Sequence, residues 1–93
     1  MELAKGVRDY PPKTQLIRED LFEKCRKAFE RHGFAPLATP IIEREETLTF
    51  KFEGDEDVMS ELFTLTDQGA RKLGLRFDLT VPLCRFVAQN KDL

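Results

Sequence analysis

Two polar side chains two positions apart, Asp78 and Thr80, carry the clearest chemical signal in this sequence. They lie where an alternating pattern over residues 73–78, typical of a half-buried strand, changes to a helical pattern that begins at Val81. Thr80 can cap that helix, and Pro82 suits its first turn because the missing N–H needs no partner there.

A carboxylate beside the free N–H groups of a helix start suits a small zwitterion, because Asp78 can accept from an ammonium group while nearby donors receive a carboxylate. The sequence therefore suggests an amino-acid site at this corner. The alternative is that Asp78 and Thr80 only cap the helix, since both are ordinary capping residues.

Length and composition indicate a small soluble protein. The chain has 93 residues, 41% of them hydrophobic and 34% charged, as expected for one folded domain or part of one. A net charge of −2 gives no global electrostatic reason to bind nucleic acid or an anionic membrane. Cys25 and Cys84 fall on predicted apolar helix faces, so we expect buried thiols in a reducing compartment. No apolar signal region or membrane-length run occurs, and a cytoplasmic location is expected.

A long amphipathic helix is predicted over residues 14–32. Apolar residues recur at helical spacing, and most of the charged residues lie on the opposite side. Gly33 is placed to take the left-handed conformation that ends a helix, and His32 is interpreted as a helix-end residue rather than a ligand or base. The apolar positions are Ile17, Leu21, Phe22, Cys25, Ala28 and Phe29.

The segment after this helix contains Pro36 and Pro40, which exclude a helix and remove two ladder donors from a strand. An edge strand with an apolar stretch over residues 37–42 tolerates this best. Because an uncovered edge can pair with another chain, a subunit interface is plausible there. Alternatively, the long helix covers this strand within the same subunit.

Two further regions are assigned from composition and alternation. Residues 44–60 carry an acidic cluster without the ligand spacing of a helix-loop-helix calcium site, so a solvated loop is predicted. Residues 62–78 form two alternating runs around a glycine-containing turn, which predicts an antiparallel hairpin. The face expected to pack on the long helix carries Phe63, Leu65, Leu73, Leu75 and Phe77. The sequence contains no glycine-rich phosphate loop, Cys-x-x-Cys pair or nucleophile elbow.

Three segments together resemble histidyl-tRNA synthetases, most strongly the archaeal and eukaryotic type. They read Lys-Gly-Val-Arg-Asp-Tyr-Pro-Pro at residues 5–12, Gly-Phe-Ala-Pro-Leu-Ala-Thr-Pro-Ile-Ile-Glu at residues 33–43, and Asp-Gln-Gly at 67–69 followed by Leu-Arg-Phe-Asp-Leu-Thr-Val-Pro at 75–82. The resemblance implies that residues 1–93 are a partial α+β domain. It would be the amino-terminal segment of the class II synthetase catalytic fold, an antiparallel sheet with a long flanking amphipathic helix.

The resemblance also implies a homodimer. The long helix and the strand after it would form the first signature motif of class II synthetases, which builds the dimer. The residues expected at the interface are Leu37, Thr39, Pro40 and Ile41.

The same resemblance places Asp78, Leu79 and Thr80 in the segment that holds the histidine substrate. Asp78 and Thr80 would contact its α-amino group, which agrees with the chemistry of a positioned carboxylate beside an ammonium group. We expect no catalytic residue and no metal ligand within the sequence.

In the full-length family enzyme, ATP and Mg²⁺ activate histidine, which is then transferred to tRNA. The cations that adenylation needs come, in the family, from arginines of the second and third signature motifs and from a histidine-specific loop, all beyond residue 93. We therefore expect this segment to bind no cofactor and to be inactive alone. Two alternatives stay open: the synthetase-like regulatory subunit of ATP phosphoribosyltransferase, and a free-standing dimerisation module.

Overall fold

A computed structural model of the chain describes residues 1–52 and 54–92. Glu53, which belongs to the predicted acidic loop, lies outside the described residues. The chain divides into two compact units, Met1–Leu37 and Ala38–Leu93. Helices and antiparallel strands are both present, which confirms the α+β prediction, and the elements are α1 (Pro12–Arg31), β1 (Ile42–Arg44), α2 (Glu45–Thr49), α3 (Glu56–Glu61), β2 (Thr64–Thr66), β3 (Lys72–Leu75) and α4 (Thr80–Gln89).

The first unit is built on α1, which lies within two residues of the predicted bounds. It begins with Pro12, whose fixed φ and missing N–H suit a first helical position. It ends before Gly33, which has φ +84°, the left-handed conformation predicted for it. His32 is the residue after the last helical one, and its Nδ1 lies 2.8 Å from the Ala28 carbonyl oxygen, so its assignment as a helix-end residue is confirmed.

The prediction that both cysteines are buried is wrong. Cys25 and Cys84 are exposed. The reason for Cys25 is visible in its helix, because the apolar face of α1 is itself exposed: Phe22 and Phe29 leave 59% and 60% of their surface open. Helical periodicity identifies an apolar face, but it does not say whether another element covers that face.

The second unit contains a three-stranded antiparallel sheet in the order β1-β3-β2. β2 and β3 form the predicted hairpin, with Leu65 opposite Leu73. β1 is an edge strand as predicted, but it begins only at Ile42. The strand predicted from Leu37 is therefore wrong over residues 37–41, where Pro40 has no N–H to give to a ladder.

The most buried residue of β3 lies on the face opposite to the predicted one, while Leu73 on the predicted face is half-buried. Gly74 is buried, and a Cβ added there would lie 2.9 Å from Cδ1 of Leu48, a residue of α2 that is only 1% exposed. Leu75 and Phe77, predicted to pack, are 38% and 46% exposed. The pattern misleads because the glycine, which has no side chain, leaves the space that Leu48 fills.

The acidic region is not simply the solvated loop that was predicted, since α2 and α3 both lie in it. Glu45 and Glu46 occupy the first turn of α2, where negative charge favours a helix. Asp55 caps α3 by accepting a hydrogen bond from the Val58 N–H at 3.3 Å. None of the helices formed by the described residues combines the length and apolar character needed to span a membrane.

Candidate amino-acid site at the start of helix α4

Asp78 lies in the short connection between β3 and α4. Its Oδ1 accepts a hydrogen bond from the backbone N–H of Val81 at 3.2 Å, and the residue is exposed. Among the described residues, Val81 supplies the one donor to this carboxylate. Asp78 therefore caps the helix and still presents its other oxygen to solvent or to a ligand.

The predicted cap at Thr80 is wrong. Thr80 is the first residue of α4, and Leu79, with φ −107° and ψ −4°, holds the N-cap position without a side-chain hydrogen bond. Pro82 lies in the first turn as predicted. Asp78 caps the helix start instead, since its Oδ1 accepts a hydrogen bond from the Val81 N–H.

Thr80 borders an open groove between α2 and α4, about 500 Å³ in volume. Its walls include Phe50 from the end of α2 and Val81 and Cys84 from α4. Asp78 and Leu79 do not line this groove. The structure thus keeps the three predicted histidine-binding residues consecutive at one helix start, but it brings only Thr80 to the groove.

A partly buried ion pair between β1 and α4 was missed by sequence reasoning. Glu43 on β1 is 7% exposed, and its Oε1 accepts from Nε of Arg85 at 3.0 Å. Arg85 also donates from Nη1 to Oε1 of Gln89 at 2.9 Å. One signal was available in the sequence: Arg85 lies four residues after Val81, on a buried face of α4, and an arginine there needs an acceptor.

The predicted interface residues lie in two units. Leu37 closes the first unit and is 47% exposed, while Ile41 in the second is 62% exposed. Thr39 is half-buried and Pro40 is exposed. Both of these residues accept hydrogen bonds from Nη1 of Arg76, at 2.9 Å to the Thr39 carbonyl, 3.0 Å to Thr39 Oγ1 and 3.4 Å to the Pro40 carbonyl.

The Asp-Gln-Gly segment that contributed to the resemblance forms the hairpin turn. Oδ1 of Asp67 accepts from the backbone N–H groups of Gly69 and Arg71, both at 2.9 Å, and Oδ2 accepts from Arg71 Nε at 2.7 Å. The backbone bond from Arg71 is the largest cause that lowers the pKa of Asp67. The role of Asp67 seen here is to fix the turn.

The described residues gather no group of three or more His, Cys, Asp or Glu side chains that could hold a metal ion. The phosphates of ATP would need several cations around one cleft. Arg76 and Arg85, near the candidate site, are engaged with Thr39 and Glu43. Neither arginine is therefore free to hold a phosphate.

Comparison with known protein families decides the assignment. The sequence profile described as histidyl-tRNA synthetase matches residues 6–92. The chain belongs to the histidyl-tRNA synthetase family. The match covers the strand, connection and helix that carry Asp78, Leu79 and Thr80.

Individual relatives agree with this assignment. The chain is 41% identical over 93 residues to histidine–tRNA ligase 1 of Bacillus cereus, covering 100% of the chain and 22% of the relative. It is 45% identical over 91 residues to the cytoplasmic histidine–tRNA ligase of Takifugu rubripes, covering 98% of the chain and 17% of the relative. The chain thus spans about a fifth of the length of these relatives. Since bacterial and vertebrate ligases are similarly close, the archaeal and eukaryotic subtype stays a prediction.

Solved structures show the same fold. The apo histidyl-tRNA synthetase of S. aureus superimposes with a TM-score of 0.80 at 19% identity, covering 98% of this chain and 21% of that one. A Bacillus halodurans protein described as an ATP phosphoribosyltransferase regulatory subunit/histidyl-tRNA synthetase gives 0.75 at 29% identity, covering 94% and 22%. The predicted fragment of the class II synthetase fold is therefore confirmed.

Proposed function

We propose that the chain is part of a histidine–tRNA ligase, which activates histidine with ATP and Mg²⁺ and transfers it to tRNA in the cytoplasm. The observation that carries this proposal is the family match over residues 6–92. In this proposal the chain supplies part of the histidine site and a dimer interface. The cations that stabilise the adenylation transition state come from outside these residues.

The histidine contact is assigned to Asp78, Leu79 and Thr80. Asp78 is exposed and uses one carboxylate oxygen to cap α4, so its other oxygen can accept from the α-ammonium group of histidine. Thr80 adds a hydroxyl at the same helix start. The two residues bracket Leu79, whose backbone sets their spacing.

The homodimer is assigned to Leu37, Thr39, Pro40 and Ile41. Its support is the exposure of Leu37 and Ile41 and the edge position of β1, which follows directly after Ile41. An edge strand offers unpaired backbone groups to a second chain, and exposed apolar side chains beside it favour burial.

Titration calorimetry with histidine tests the site. Asp78→Asn keeps a capping oxygen but removes the charge, whereas Asp78→Ala removes both. We expect each variant to bind histidine at least tenfold more weakly, because a charge-assisted contact contributes about 1.5–3 kcal/mol. Asp55→Ala is the matched control, since Asp55 caps α3 in the same way away from the site. If Asp78→Asn binds histidine with the wild-type affinity, Asp78 only caps the helix and does not contact histidine.

ATP–pyrophosphate exchange tests the expectation that this segment is inactive alone. We expect no exchange above background from the purified chain. Exchange that Asp78→Ala abolishes would contradict this expectation and place more of the catalytic machinery in these residues.

A second candidate, a regulatory subunit of ATP phosphoribosyltransferase, has one observation in its favour: the B. halodurans neighbour carries both descriptions. The ligase has the stronger support, because relatives about 40% identical are named as ligases. A chain that binds ATP phosphoribosyltransferase and leaves histidyl-tRNA synthesis unaffected in the cell would favour the regulatory subunit.

A further inference from the structure

Arg76 connects the two sites proposed above. It follows β3 directly and lies two residues before Asp78. Its backbone N–H donates to the Ile41 carbonyl at 2.9 Å, and its Nη1 holds the Thr39 and Pro40 oxygens described above. One residue thus grips three consecutive residues of the proposed interface through backbone and side chain together.

The connection from β3 to α4 is short, so the bonds made by Arg76 also restrict the position of the proposed histidine site. Only residues 76–79 separate the end of β3 from the start of α4. Arg76 fixes the beginning of this connection, and the bond from Val81 to Asp78 fixes its end. The place of the Asp78 carboxylate therefore depends on where Arg76 is held.

A second link makes the far end of this arrangement rigid. Arg85 ties α4 to Glu43, which is the second residue of β1. β1 follows the Thr39–Ile41 segment directly. Movement of that segment is therefore opposed by Arg76, before Asp78 in the chain, and by Arg85, after it. Glu43 is buried and the Arg85 side chain is 23% exposed, and a packed, paired link of this kind transmits a displacement instead of absorbing it.

We propose that Arg76 is a positioning residue that couples dimer formation through Thr39–Ile41 to histidine binding at Asp78. The inference rests on the proposed function. A second copy that docks on Thr39–Ile41 restricts the backbone of this segment. Because Arg76 is bonded to the segment, the connection over residues 76–79 is restricted as well, and the Asp78 carboxylate is positioned for the ammonium group. Linkage then requires histidine to tighten the dimer by the same factor by which the dimer tightens histidine.

The test measures the dimer dissociation constant by sedimentation equilibrium, with and without saturating histidine. Histidine affinity is measured separately by calorimetry. We expect histidine to tighten the wild-type dimer about fivefold or more, within the usual range of coupling between sites. Arg76→Met should bring this factor close to one. Arg76→Lys should restore part of it, because one nitrogen makes all the side-chain contacts and an ammonium group can replace it.

Two further variants keep the test decisive. Arg71→Gln removes a charge at the other end of β3, where Arg71 pairs within its own turn, and should leave the coupling factor unchanged. Thr39→Val removes one acceptor of Arg76 and keeps the side-chain shape, so it should reduce the coupling even where Arg76→Met fails to fold. The coupling factor is the informative quantity, because a merely structural role changes the affinities without linking them.

The outcomes separate the two proposals. A wild-type chain that binds histidine and dimerises without coupling overturns the role of Arg76 and leaves the proposed function standing. Full coupling in folded Arg76→Met overturns it as well, and if that variant does not fold, full coupling in Thr39→Val does so. A wild-type chain that binds no histidine in calorimetry overturns the proposed histidine site, and this inference with it.

Discussion

Helix α1 and the sheet unit are stabilised in different ways. α1 consists of twenty residues, all described and none buried, and its contacts within the Met1–Leu37 unit are local. Lys24 pairs with Asp20 and Arg26 pairs with Glu30, each one turn apart and exposed. The sheet unit instead buries Leu48 and Val81 and closes its ion pair between residues 42 positions apart. Exposed local ion pairs contribute little to stability, so the core of this protein comes from contacts between residues distant in the sequence.

The largest expected effect is on Leu48, a fully buried apolar side chain of the sheet unit. Leu48→Ala should lower the free energy of unfolding by about 2–5 kcal/mol, because it leaves a cavity over Gly74. Leu21→Ala on α1, where the side chain is 56% exposed, should change it by about 0.5 kcal/mol or less. Urea unfolding followed by circular dichroism measures both. Equal losses in the free energy of unfolding would contradict the view that distant contacts stabilise the sheet unit more than helix α1.

The ion pair between Glu43 and Arg85 should come next. Arg85→Met leaves a buried carboxylate without its cation and should cost about 1–3 kcal/mol in the same assay. Arg44→Met is the control. Arg44 is next to Glu43 on β1, but the Arg44 side chain is 74% exposed. A loss no greater than that of the control would mean that Glu43 is adequately hydrated.

Gly74 tests the close approach of α2 to β3. A Cβ there would lie 2.9 Å from Leu48 Cδ1 and 3.3 Å from the Phe63 carbonyl oxygen. Gly74→Ala should therefore destabilise the sheet unit by about 1–3 kcal/mol. In a Leu48→Ala background the penalty should shrink, since the cavity accepts the methyl group. Strict additivity of the two changes would contradict this packing.

The smallest effects concern two partly exposed carboxylates, those of Glu23 and Asp67. The pKa of Glu23 on α1 is lowered from 4.5, chiefly by the side-chain hydrogen bond from Arg26, and that of Asp67 from 3.8, chiefly by the backbone bond from Arg71. Both stabilise the folded state above these ordinary values, and the stabilisation is lost as pH falls through the lowered pKa.

The pKa values of Glu23 and Asp67 should respond differently to salt. Because Arg26 holds Glu23 by side chain alone, added salt should return the pKa of Glu23 towards its ordinary value more than that of Asp67. Carboxyl-carbon NMR titrations at low and high salt measure both values. A larger salt response at Asp67 would show that its backbone bonds are not the main cause.

The accuracy of the predictions from sequence follows the range of the interactions. The long helix, its end at Gly33 and the hairpin depend on neighbours within a few residues, and the structure confirms them. Cys25, Cys84 and the packed face of β3 were predicted wrongly, because each depends on which distant element covers a surface. The histidine-binding and dimer residues stay predictions that rest on family resemblance.

By itself, the sequence determined the local elements and the family, since helix periodicity, turn residues and motif order are all written along the chain. Only the tertiary structure decided that Gly74 rather than Leu75 faces the core and that Arg85 finds Glu43. It also decided that Arg76 holds the Thr39 and Pro40 oxygens. The physical reason is that burial and ion pairing depend on distances in space, which residues about 40 positions apart acquire only when the chain has folded.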